Sequence, residues 1–137
     1  IAAHVNRSTG ADMLVAIDPF LTETAGQLGL RLWLPGNADA SLSSAWKNDR
    51  YLFFPDGEQS VAVLWDIELG DADATDKLEA AALGIVATLA GLDQPVKTGE
   101  VVVSSGKRHL ALARVSPTRL RFLNAFESAT ATGLLPR

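Results

Sequence analysis

At 137 residues, 47% apolar and 20% charged, the chain has the length and composition of one globular domain, far from the polar, highly charged make-up of a disordered segment. Its 12 basic against 16 acidic residues give a net charge of −4, which argues against a nucleic-acid partner, because displacing counterions from phosphates takes a cationic stripe. No cysteine is present, which excludes disulfides and thiolate chemistry without fixing a compartment, and no apolar run approaches the roughly 18 to 20 residues of a transmembrane helix.

The chain starts at Ile1 rather than Met and has no basic segment followed by an apolar one, so it reads as a single domain, 1–137, processed or cut from a longer protein. Residues 1–17 carry no assignable pattern: "RSTGAD" has loop composition and "MLVAI" suits a short strand or a connector. Asp18 as N-cap and Pro19 at the first helical position then predict a helix that Pro35-Gly36 closes. Leu21, Ala25, Leu28 and Leu32 share one face of it, and Gly26 and Gly29 imply close approach of another backbone. Leu30 and Leu34, with Phe20 nearby, fall on the opposite side. They form a candidate interaction surface, to be covered by an upstream domain, by residues 1–17 or by a second copy of the chain.

A short helix around Leu42 to Trp46, capped by Asp39, comes next. The period then changes from 3.6 to 2: Tyr51 to Phe54 and Val61 to Glu68 form a hairpin around "PDGE", with Gly57 supplying the positive φ of the turn. Trp65 is expected in the core, beneath the helix "DADATDKLEAAALGIVATLAG". The inward stripe of that helix is read as Leu78, Ala82, Ile85 and Leu89, and its Ala80, Ala81, Gly84 and Ala87 allow close packing on a sheet. Three strands follow, Glu100 to Ser104, His109 to Val115 and Arg119 to Phe126, and then a short helix, Glu127 to Leu135. This order predicts an α+β fold, an antiparallel or mixed sheet of about five strands with helices mainly on one face.

The pattern yields no catalytic residue, metal ligand or cofactor. His4 and His109 are the only histidines, and neither has a partner four residues away as zinc hydrolases require. "SSGK" has turn composition, without the glycine spacing of a phosphate loop or of a nucleophile elbow. Asp66 and Glu68 share one strand face, a carboxylate pair of the kind used in acid/base work. Arg114, Arg119 and Arg121 lie on nearby strands, so the pair reads as half of a set of cross-strand ion pairs on a solvated face. Asp66, Glu68, His109 and Arg114 are thus weak polar-site candidates. Trp33, Trp46 and Trp65 fit core positions better than a carbohydrate platform.

The segments "ETAGQLGLRLWL" and "SAWKNDRYLFFPDGEQSVAVLWDIELGDADATDKLEAA" resemble the C-terminal, non-catalytic region of a family of uncharacterised bacterial HExxH metallopeptidase-like proteins. Gly26 to Leu34 match its helix, Trp46 to Tyr51 its "GWGGDRY" segment, and Val63 to Ala74 its Trp-bearing strand. Lys47-Asn48 replace the family's paired glycines, and HExxH is absent, so no catalytic residue carries over. The resemblance implies an accessory or interaction domain following a peptidase-like domain in an exported, envelope-associated protein. Asp49 and Arg50 would then pair or tie down loop backbone. The readings that compete with it are a small-ligand or lipid-binding domain, and a small enzyme using Asp66, Glu68 and His109.

Overall fold

The computed structural model describes residues 21–34 and 40–136. In chain order they form β1 (Leu21–Glu23), α1 (Gly26–Trp33), α2 (Ala40–Ser44), β2 (Trp46–Asp56), β3 (Ser60–Leu69), α3 (Ala72–Leu89), β4 (Val102–Val103), β5 (His109–Ser116), β6 (Arg119–Ala125) and α4 (Ser128–Leu134). The six strands make one sheet, ordered β1-β2-β3-β6-β5-β4, and every neighbouring pair is antiparallel. The fold is therefore α+β, with four substantial strands and a very short one at each edge.

Alternation along the strands sorts their side chains onto two buried faces. On one, Trp65, Ile67 and Leu69 of β3, Leu110 and Leu112 of β5, and Leu120 and Phe122 of β6 pack with Leu30, Leu34, Leu42, Leu78, Ala82 and Val86 from the first three helices. On the other, Leu52, Phe54, Ala62, Leu64, Ala111, Leu123 and Ala125 pack with Ala131 and Leu134 of α4. Three helices thus share one face, and the short C-terminal helix covers part of the other.

The chain departs from the sequence reading most clearly at its first helix. Leu21 to Glu23 are strand, paired with Tyr51 to Phe53, and the helix begins only at Gly26, whose φ of 72° ends the extended segment. Asp18, Pro19, Pro35, Gly36, Asp39, Phe20 and residues 1–17 lie outside the described residues, as do the side chains of Leu21, Leu28 and Leu32. Leu30 is fully buried and Leu34 is 8% exposed, both in the same cluster as Trp65 and Leu42. They are core, because α1 is enclosed by α2 and the sheet together and does not sit at an open edge. Gly29 is needed for space, since a Cβ there would come within 2.5 Å of the Ala25 Cβ. The crowding is with a side chain of the same segment, not with a second backbone.

The helix expected over Leu42 to Trp46 is Ala40–Ser44, the strand expected over Tyr51 to Phe54 runs from Trp46 to Asp56, and the strand expected over Glu100 to Ser104 is reduced to Val102–Val103, whereas β3, α3, β5, β6 and α4 follow the sequence closely. Gly57, at φ 74°, turns the β2–β3 hairpin, and Asp71 caps α3 by accepting from the Ala74 N–H at 2.7 Å. The inward arc of α3 is Ala74, Thr75, Leu78, Ala82, Val86 and Ala87, whereas Ile85 is only partly buried and Leu89 is 51% exposed. The buried arc is turned toward Val86, on the flank where Arg114 of β5 meets Asp76 and Glu79 at 2.9 and 3.0 Å. Space opposite Gly84 is open, so close sheet contact is not what its small size serves.

Trp65 is 1% exposed and sits in an aromatic cluster, with Tyr51 stacked on it at 4.9 Å and Trp33 edge-on at 5.1 Å between ring centroids. Phe122 meets Trp33 at 5.5 Å. Trp65→Ala should therefore cost roughly 3 to 5 kcal/mol through lost contacts and a cavity, read as a drop in urea midpoint at an unchanged slope.

Candidate functional site

Asp49, 3% exposed, is the most heavily bonded side chain on the helical face. Its Oδ1 accepts from Thr24 Oγ1 at 2.9 Å, the Gly26 N–H at 2.8 Å and Trp46 Nε1 at 2.9 Å. Its Oδ2 accepts from the Ala25 N–H at 2.7 Å and Trp65 Nε1 at 2.9 Å. A carboxylate has about four acceptor sites, so these five donors saturate it. Two of them are backbone groups at the start of α1, which the carboxylate thereby caps from 23 and 24 residues away. Burial by itself pushes the Asp49 carboxyl up, but the bonds from Trp65, Ala25, Gly26 and Thr24 outweigh it and hold the group below the ordinary carboxylate value. Burial, with the Asp49 charge beside it, pushes the Tyr51 phenol up.

On the opposite face, β2, β3 and β6 place six polar side chains in two rows. Asn48, Glu68 and Arg119 are cross-strand neighbours in one row, and Arg50, Asp66 and Arg121 in the next. Asp66 is 5% and Arg121 3% exposed. Arg121 Nε donates to Asp66 Oδ1 at 2.8 Å, its Nη2 reaches Oδ2 at 3.3 Å, and its Nη1 donates to the Leu134 carbonyl at the end of α4. Arg119 adds a weaker contact to Asp66 Oδ2 at 3.4 Å. The pair was expected on a solvated face; it is buried because α4 closes over Arg121. Glu68 is partly exposed and Arg50 exposed, and among the described residues neither makes a side-chain hydrogen bond or ion pair. Together Asn48, Asp49, Arg50, Asp66, Glu68 and Arg119 line an open cleft of about 310 Å³.

The other candidates lie elsewhere. Arg114 is bound on the helical side by Asp76, Glu79 and the carbonyls of Ser116 and Pro117. Burial would lower its pKa, but Asp76 and Glu79 outweigh this and raise it. His109 pairs with Ala125, four residues along β6 from Arg121 or about 13 Å, so it does not converge with Asp66 and Glu68. Its Nδ1 is buried without a partner. "SSGK" is a turn: Lys107, at φ 64°, donates its N–H to the Ser104 carbonyl, and the Arg108 N–H donates to Ser104 Oγ. The Arg108 guanidinium reaches Ser60 Oγ, the Val61 carbonyl and Asn124, a cross-sheet tie that a strand-by-strand reading did not find. The resemblance implied that Asp49 and Arg50 pair or tie down loop backbone: Asp49 does hold the Ala25 and Gly26 N–H groups, its three further donors were not foreseen, and Arg50 is not among its partners.

Among the described residues, no three of His, Cys, Asp and Glu are grouped so as to hold a metal ion, and no helix is long and apolar enough to cross a membrane. The chain matches no family model, no curated protein and no solved structure.

Asp49→Asn puts a donor where donors converge and should cost on the order of 3 kcal/mol. Because the Asp49 pKa is depressed on folding, its contribution is present above the unfolded-state value and is lost as pH falls through the lower folded-state value. Wild-type stability should accordingly fall more steeply than that of the Asn variant from about pH 5 to pH 2. On the other face Asp66→Ala should cost roughly 3 to 5 kcal/mol by leaving Arg121 buried and unpaired. Glu68→Ala should stay within about 0.5 kcal/mol. Chemical denaturation of the variants separates these outcomes.

Proposed function

We propose that this chain works by binding, as a non-catalytic accessory or interaction domain of a bacterial, exported, peptidase-like protein. The observation that carries the reading is the occupancy of its buried carboxylates. Asp49 is held ionised by five structural donors, and Asp66 is engaged by two arginines, so both buried carboxylates are committed to contacts within the fold. The residues that carry the resemblance point the same way: Gly26, Trp46, Asp49 and Trp65 all belong to one structural knot joining helix, strand and aromatic cluster. A motif spent on architecture suits an accessory domain, whose role is to present a surface beside a partner.

The purified chain, equilibrated with zinc and dialysed, should retain no stoichiometric metal and should leave casein intact. A single tightly held zinc lost on His4→Ala or His109→Ala, or cleavage that Asp66→Asn abolishes without unfolding the protein, would overturn the reading. The peptidase context is checked separately by the full reading frame, which should encode an HExxH segment upstream.

A further inference from the structure

On that reading of the chain as a binding domain, we propose that the polar cleft takes a short peptide with both termini free, its carboxylate at Arg50 and its ammonium group at Glu68. The charge arithmetic of the two rows selects these residues. Asp66 has a cation on either side, Arg50 across β2 and Arg121 across β6, and it bonds Arg121 and the diagonal Arg119. That choice leaves Arg50 without an anion. It also draws Arg119 away from its own row neighbour Glu68, which is left without a cation. Among the described residues, one unpaired group of each sign therefore remains beside the same cleft, over a floor of paired charges.

Spacing then sets the size of the ligand. Asn48 is the residue opposite Glu68 and Arg50 the residue opposite Asp66, so Arg50 and Glu68 are diagonal neighbours on an antiparallel pair. Such neighbours stand about 7 to 8 Å apart along the sheet, which sets the interval between the two charged positions. Two extended residues span roughly 7 Å, whereas a free amino acid spans about half of that. A dipeptide fits the interval and the 310 Å³ cleft. Arg50 offers a fork of donors to a carboxylate, and Glu68 accepts from an ammonium group. Asn48 uses its Oδ1 on the Asp49 N–H, which leaves its amide N–H free to meet the peptide carbonyl between them.

Titration of the chain with alanyl-alanine, followed by amide chemical shifts, tests the assignment. Binding is expected to shift residues of β2 and β3 around Arg50 and Glu68, and to weaken at least tenfold on N-acetylation or C-terminal amidation of the peptide. Arg50→Gln and Glu68→Gln should each weaken it similarly at an unchanged melting temperature, since neither residue has a side-chain partner to lose among the described residues. Acetylation should cost nothing further in Glu68→Gln, nor amidation in Arg50→Gln. Absence of binding at about 10 mM, or equal binding of the blocked and free peptides, overturns the proposal. The outcomes also separate it from the broader reading. A peptide that is bound and cleaved removes the non-catalytic assignment and keeps the site, while a chain that binds no dipeptide, takes up no zinc and cleaves nothing loses the site and remains an accessory domain.

Discussion

The carboxylate of Asp49 is the point from which the helical half of the molecule is hung. An ionised group at 3% exposure is costly unless every acceptor site is used, and here backbone, hydroxyl and two indoles use them all. Each donor belongs to a different problem. Ala25 and Gly26 bring the unsatisfied N–H groups of a helix start; Trp46 and Trp65 bring polar atoms on large apolar bodies that must otherwise stay near water. One anion solves all of these, and in doing so fixes α1 against β2 and β3. The Tyr51–Trp65 stack and the edge-on Trp33 then have a defined place.

The opposite face is organised by the same strand. Asp56, seven residues further along β2 and so on the other side of the pleat, accepts from the N–H groups of Phe126 and Glu127 at the start of α4. The far end of α4 is held by Arg121 on the Leu134 carbonyl. This helix is only seven residues long, and it leaves the β2, β3 and β6 surface beyond Arg121 open. Apolar rows lie under the helix, the buried ion pair marks its limit, and the unpaired Arg50 and Glu68 lie past it. The cleft exists because α4 stops where it does.

What could be read from the sequence was whatever local periodicity encodes. The alternation from Val61 to Glu68, the small-residue helix after Asp71, and the strands at His109 and Arg119 all appear where their patterns put them. The start of α1 was illegible because its cap comes from Asp49, and a window along the chain cannot see a donor–acceptor pair 24 residues apart. Leu30 and Leu34 were placed outward on the assumption that only the side of Leu21, Leu28 and Leu32 faces the core, but Leu30 and Leu34 share a core cluster with Leu42 of α2 and Trp65 of β3, which adjacent positions along the chain do not reveal. Of the three arginines read as partners for Asp66 and Glu68, Arg119 and Arg121 lie on their face but Arg114 lies on the helical one, and depth within the shared face depends on α4, whose own pattern is weak. Depth is what separates the structural Asp66 from the available Glu68.

The order of strands gives the chain a timetable. β2 and β3 are neighbours in sequence and can close as a hairpin at once, yet the other edge of β3 is completed only by β6, and Asp66 meets Arg121 across 55 residues of chain. Until that seam forms, β3 presents an unsatisfied edge and a carboxylate that must stay hydrated, which holds the hairpin apart from a premature dry core. Closure of the middle of the sheet is thus a long-range event with the loop-closure entropy that implies, so folding is expected to be slower than for a chain of this size built from local contacts, and water leaves the pair only when α4 is docked.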